Sequence, residues 1–168
     1  TSGGADSITL SGTNGALTVN TGAGNDTFTF GAASTTAKTI EVDLGDGTAD
    51  TVAVNGLDLT VGTSVVTITG HEILDLGGTT SLPNSWVNGA TTLVTDSVTS
   101  TIAATIVMGT DTTTDLSGLV INTSTVTAAD GFVIGNAAAT KGLTLKASSI
   151  GDTINGGTVA DTITGGAA

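Results

Sequence analysis

Hydrophobic residues recur along this chain in pairs that straddle a single polar residue. The first pairs are Ile8 and Leu10, Leu17 and Val19, and Phe28 and Phe30, each with a threonine between its members. Alternation at period two turns one face of a strand inward and the other outward. The same period predicts strands at Ile40, Val42 and Leu44, at Val52 and Val54, and around Val66 to Ile68 and Ile73 to Leu76. Turn signals separate them, with Asn14-Gly15 and Gly77-Gly78 the plainest. Beyond Thr91, apolar centres at Ile106, Leu119, Phe132, Leu143, Ile154 and Ile163 lie 13, 13, 11, 11 and 9 residues apart. Helical periodicity is absent except at 136–140, which is too short to hold a helix unaided.

Short strands repeated with glycine turns, at a spacing that drifts, predict an all-β fold. The expected architecture is an irregular right-handed parallel β-solenoid or β-roll with calcium-binding glycine-rich turns. Three regions are expected: a solenoid segment over 1–79, a loop or insertion over 80–90 that holds the only Pro and the only Trp, and a second solenoid segment over 91–168. The start, TSGGAD, has no basic region or apolar signal core, and the ending GGAA breaks off where another glycine turn would begin, so an internal fragment is expected.

Composition sharpens this picture. Aromatics make up 2% of the residues against 38% hydrophobic overall, so the core must be filled by Val, Ile, Leu and Ala in regular layers. Cysteine is absent, which removes disulfide and zinc-thiolate chemistry and leaves an extracellular chain in need of another staple. The formal charge of -12, with Lys38, Lys141 and Lys146 the only fixed cations, argues against nucleic acid and anionic membrane surfaces. It argues for a bound cation.

The placement of the acids carries that further. In GDTINGGTVADTITGG, Asp152 and Asp161 stand nine residues apart, and Gly156-Gly157 precede Asp161 as in the nonapeptide G-G-x-G-x-D-x-U-x, with Val159 at the third glycine position. TGAGNDTF matches at Gly22, Gly24, Asp26 and Phe28, with Thr21 in place of the first glycine. SGGADSI matches at Gly4, Asp6 and Ile8, with Ser2 in place of a glycine, and GDGTAD supplies Asp46 and Asp50 with one extra residue. A glycine-rich half turns sharply and a D-x-U-x half runs as a strand, so stacked turns gather carboxylates and carbonyls. Calcium takes six to eight such oxygens at about 2.3 to 2.6 Å. The competing reading of each site is a glycine turn whose aspartate bonds nearby backbone.

Other candidate chemistry is thin. Adjacent His71 and Glu72 point to opposite faces of a strand and are expected as an exposed strand start. Trp86 is expected as a cap over the core end, and Asp43 with Asp46 does not amount to a glycosidase pair. The Thr-x-Thr units at Thr27, Thr67 and Thr162 are too irregularly spaced for a lattice-matched array.

GGADSITL, GAGNDTFTFG, GDGTADTV, DTINGGTVADTITGG and ITGHEILDLGG together resemble the RTX-type (repeat-in-toxin) portion of Gram-negative surface-layer proteins. The resemblance implies a non-enzymatic protein that is secreted by a type I route and orders outside the cell as Ca²⁺ binds. It further implies assembly with its own copies into a two-dimensional lattice on the cell surface, with anchoring to surface polysaccharide left to another region of the parent chain. No membrane insertion is implied. The implied ligands are Asp6, Asp26, Asp50, Asp152 and Asp161, completed by carbonyls of the glycine turns. The departures at Thr21, Thr48 and Val159 leave the stoichiometry open. The alternatives are a stalk of a type I secreted adhesin that contacts cells, surfaces or ice, and a secretion and folding domain of a secreted enzyme.

Overall fold

The computed structural model describes residues 3–11, 16–31, 39–60, 65–98, 100–135 and 139–167. They form a parallel β-solenoid of about five turns. Alternation sets the strands: β1 (Ser7–Leu10), β2 (Leu17–Asn20), β3 (Thr27–Phe30), β4 (Thr39–Asp43), β5 (Thr51–Asn55), β6 (Val65–Thr69) and β7 (Ile73–Gly77). These divide between two sheets. Strands β1, β3, β5 and β7 stack in the first, and β2, β4 and β6 in the second. Because β1 and β2 lie in different sheets, they do not form a hairpin; Asn14-Gly15 itself lies outside the described residues, as do Lys38 and residues 136–138.

Parallel pairing in register builds inward columns of apolar side chains. Ile8, Phe28, Val52, Leu74 and Val94 form one, and Leu10, Phe30, Val54 and Leu76 the next. Leu17, Ile40 and Val66 face them from the second sheet. Phe28, Val52, Leu74 and Val94 are fully buried. Each such side chain contributes about 1.5 to 3 kcal/mol by leaving water, so layers of small residues suffice for a core without many aromatics.

At Gly77-Gly78 the cross-section changes. The chain turns there from β7 directly into β8 (Thr79–Pro83), which opens a third sheet completed by β10 (Ala103–Val107), β13 (Gly131–Gly135) and β15 (Thr153–Asn155). Strands β9 (Leu93–Thr95) and β12 (Val120–Ile121) still extend the first sheet. A fourth sheet holds β11 (Thr113–Asp115), β14 (Thr144–Lys146) and β16 (Thr162–Thr164). The solenoid thus begins with two faces, passes through rungs with three, and finishes on two.

The 80–90 segment, expected as a loop or insertion, is not irregular throughout. Its first residues belong to β8, and Asn84–Trp86 form a short 3-10 turn in which Asn84 and Trp86 are buried. Trp86 does not cap an end either. Its ring lies inside, 5.9 Å from Phe30 and 6.4 Å from His71 by ring centroids. The need to fill the space where two faces become three accounts for the one large side chain at this point.

Candidate metal centre

Seven acids stand immediately before a strand: Asp6, Asp26, Asp50 and Glu72 in the first sheet, Asp130 and Asp152 in the third, and Asp161 in the fourth. At each such corner the chain swings away from the rung beside it and leaves a backbone N–H without a ladder carbonyl. The acid of the neighbouring rung accepts it. The Asp6 N–H donates to Asp26 Oδ1 at 2.8 Å, the Asp26 N–H to Asp50 Oδ1 at 2.6 Å, and the Asp50 N–H to Glu72 Oε2 at 3.0 Å. Four carboxylates are thereby threaded into one column along the first sheet's corner.

Three of the expected ligands, Asp6, Asp26 and Asp50, are brought together here. Glu72 joins them: it is exposed just before β7, as expected, and its carboxylate also accepts the Asp50 N–H. The acid directly before an alternating strand was the signal that marks it. His71 is half-buried against Trp86, and burial lowers its pKa below the ordinary imidazole value.

The glycine turns lie alongside the column. The Gly4 N–H donates to the Ala23 carbonyl at 2.7 Å, and the Asp46 N–H to the Gly22 carbonyl at 2.9 Å. Gly24 N–H reaches the Asp46 carbonyl at 3.4 Å. Asp46 therefore meets this corner through its backbone, while its side chain is exposed. Gly45 has φ 81°, and a Cβ there would stand 1.8 Å from the Gly22 oxygen. A Cβ on Gly47 would stand 2.2 Å from Asp50 Oδ2. Glycine lets the rungs close and makes room for the carboxylate.

Asp26 and Asp50 are both fully buried, and Oδ2 of each lacks a hydrogen-bond donor. The Thr21 hydroxyl has one proton and two acceptors to choose between. Turned to Asp26 it lowers that carboxyl's pKa, as does the Asp6 N–H; turned to the Leu44 carbonyl, 2.7 Å away, it leaves Oδ2 bare. Asp50 has no such choice. Burial pushes its pKa up, and the charges of Glu72 and Asp26 add to the rise.

The other two expected ligands sit elsewhere and are bonded differently. Asp152 stands just before β15 in the third sheet and Asp161 just before β16 in the fourth, so a nine-residue step leads to a different corner. Asp152 Oδ1 accepts the Phe132 N–H at 2.9 Å, and Oδ2 accepts the Ser148 N–H at 2.6 Å. Asp161 takes the Leu143 N–H at 2.8 Å and the Gly157 N–H at 3.0 Å. Gly156 packs under the Asp161 carboxylate, where a Cβ would meet Oδ2 at 2.5 Å. Asp130, absent from the expected ligands, repeats the pattern with the Ile102 and Thr127 N–H groups, both at 2.6 Å. These three carboxylates have backbone donors on both oxygens. They are staples complete in themselves.

Among the described residues no three Asp, Glu or His side chains converge closely enough to hold a metal by themselves. An ion at the first corner would draw on carbonyl oxygens as well, as hard cations do. The two enclosed oxygens without donors are the feature of this corner that fits a cation. A separate cleft of about 430 Å³ lies between Asp96, Ser100, Thr125, Thr127 and Asp130. Asp96 has its pKa raised by burial and by the neighbouring Asp130 and Asp75.

The threonine units do not share a face. Thr27-Phe28-Thr29 lies in the first sheet, Thr67-Ile68-Thr69 in the second and Thr162-Ile163-Thr164 in the fourth. No protein-family model, curated protein or solved structure matches the chain.

Proposed function

We propose that this chain is a non-enzymatic structural module of a secreted, calcium-stabilised surface-layer protein whose copies assemble into a two-dimensional lattice on the cell surface. The observation that carries the reading is the corner column, where the fully buried Asp26 and Asp50 each keep one oxygen without a donor. Buried charge without a partner is costly, and the usual remedies are a paired cation or a proton. Among the described residues the ion pair is elsewhere, between Lys146 and Asp115 at 2.6 Å. Bound Ca²⁺ would neutralise the column and give the enclosed oxygens their missing partner. The chain's own part is to hold those oxygens in place through N–H bonds from successive rungs, so that binding and folding are coupled. A chain of charge -12 that orders only where calcium is plentiful suits export in an unfolded state.

Thermal melts followed by circular dichroism test the calcium reading. Calcium at a hundred times its Kd should stabilise the fold by about 2.7 kcal/mol. Asp26→Ala should reduce that gain, and Asp58→Ala, outside the column, should leave it unchanged. Identical melting curves in calcium and in EGTA would sink the reading. Electron microscopy of protein incubated with calcium tests the lattice, which requires ordered sheets.

A further inference from the structure

Thr21 is a polar residue in a place that an apolar one can fill. It follows β2 directly and is fully buried, as is Asp26 at the other end of the same glycine turn. The Thr21 N–H donates to the Asp43 carbonyl at 3.0 Å, and Asn20 pairs with Asp43, so Thr21 stacks on Leu44 of the next rung. Leu44 is fully buried too, with no polar side-chain atom to satisfy. A valine at 21 would have the shape of threonine and would bring no buried hydroxyl in need of partners. What sets position 21 apart is therefore the hydroxyl itself.

That hydroxyl stands between two acceptors. The Leu44 carbonyl is 2.7 Å away, and the Asp26 carboxylate also lies within its hydrogen-bonding reach. Asp26 Oδ1 already accepts the Asp6 N–H at 2.8 Å, whereas Oδ2 lacks a donor. A hydroxyl has one proton to give and two lone pairs to offer. Given to Asp26, the proton is withheld from the Leu44 carbonyl. Given to Leu44, it leaves the hydroxyl oxygen and the carboxylate as enclosed acceptors with no proton between them. A positive ion resolves that conflict, and hydroxyl, carboxylate and carbonyl oxygens are all hard donors of the kind calcium takes. In the next rung Leu44 holds the corresponding place and offers Asp50 no such oxygen.

We propose that Thr21 is a further calcium-binding residue of the first corner, its hydroxyl turning from the Asp26 carboxylate to the Leu44 carbonyl as the ion binds and presenting its oxygen to the ion. The proposal rests on the reading of this corner as a calcium site. It assigns a role to a departure from the nonapeptide, since Thr21 stands where the pattern has its first glycine. Glycine there would offer the ion its backbone alone. Threonine adds a side-chain oxygen, and its proton keeps a buried carboxylate partnered until calcium arrives.

Calcium titration by isothermal calorimetry on the 168-residue chain tests this. Asp26→Ala identifies the binding heat that belongs to this corner. Thr21→Val keeps the shape and removes the hydroxyl, and it should raise the Kd of that site about 10- to 100-fold. Thr21→Ser keeps the hydroxyl and should stay near wild type. Thr21→Gly restores the nonapeptide and should nevertheless bind more weakly than wild type. An unchanged Kd in Thr21→Val overturns the proposal, as does a tighter one in Thr21→Gly; a hydroxyl that merely supports the fold would lower the melting temperature equally in calcium and in EGTA and leave Kd where it was. If Thr21→Val does not fold, Thr21→Ser against Thr21→Gly decides by the same Kd. Wild type that takes up no calcium would overturn the calcium reading and this proposal together, whereas equal binding by wild type and Thr21→Val would overturn the role of the hydroxyl alone.

Discussion

Asp50→Asn separates the two roles that a corner carboxylate can have. The wild-type group is fully enclosed, accepts the Asp26 N–H on Oδ1 at 2.6 Å and has no donor at Oδ2. Asparagine keeps the Oδ1 acceptor and removes a buried charge that Glu72 and Asp26 repel. An enclosed unpartnered polar atom costs about 1 to 3 kcal/mol, and the new amide brings a donor that returns part of this cost, so the net gain without calcium is about 1 kcal/mol. For a chain of this length that raises the melting temperature by about 2 to 4 °C. In calcium at a hundred times Kd the wild type gains about 2.7 kcal/mol that the variant forgoes. The order then inverts, with wild type melting about 3 to 7 °C above the variant. Calorimetric melts in EGTA and in calcium read both values. A variant that is less stable than wild type by the same amount in both conditions would refute the reasoning and leave Asp50 a backbone staple. Asp152→Asn shows what such a staple does. Both its oxygens accept backbone N–H groups, an amide replaces one acceptor by a donor, and about 1 to 3 kcal/mol is lost with or without calcium.

Three further substitutions test other parts of the molecule. Gly45→Ala must hold φ 81° with its Cβ 1.8 Å from the Gly22 oxygen, so urea unfolding should show a loss of about 2 to 5 kcal/mol. Trp86→Phe removes a ring N–H that is buried without a partner and should fall within about 1 kcal/mol of wild type, whereas Trp86→Ala should cost about 3 to 5 kcal/mol in the same assay. Asp96 has a raised folded pKa, so the folded state holds its proton more tightly than the unfolded state. The resulting penalty is absent below the unfolded pKa of about 3.9 and complete above the folded one. Asp96→Asn should therefore melt above wild type at pH 7 and together with it at pH 3.

The strands were legible because each rests on a local rule. Pairs such as Ile8 and Leu10, or Val52 and Val54, announce a strand with one buried face whatever it packs against. The recurrence of Asp6, Asp26 and Asp50 behind glycine turns was legible for the same reason. Glu72 was missed because the residues before it, Thr69-Gly70-His71, lack the glycine pattern, although its place directly before β7 matches that of every other corner acid. Trp86 was misplaced because composition alone marks it as odd. Its burial follows from a change in cross-section that no local pattern encodes.

The sequence by itself determined the alternation, the sharp glycine turns and the acid at the entry to seven of the strands, since period-two burial and backbone freedom depend on neighbouring residues only. Tertiary structure alone decided which acids meet. Asp26 and Asp50, 24 residues apart, became neighbours because their strands stack in register in one sheet. Asp152 and Asp161, nine residues apart, were sent to different sheets. A solenoid brings together residues separated by a full turn, and this chain varies the length of its turns. Which carboxylate is left with an oxygen to spare for a cation, and which is saturated by backbone N–H groups, is therefore settled by the winding and not by the spacing.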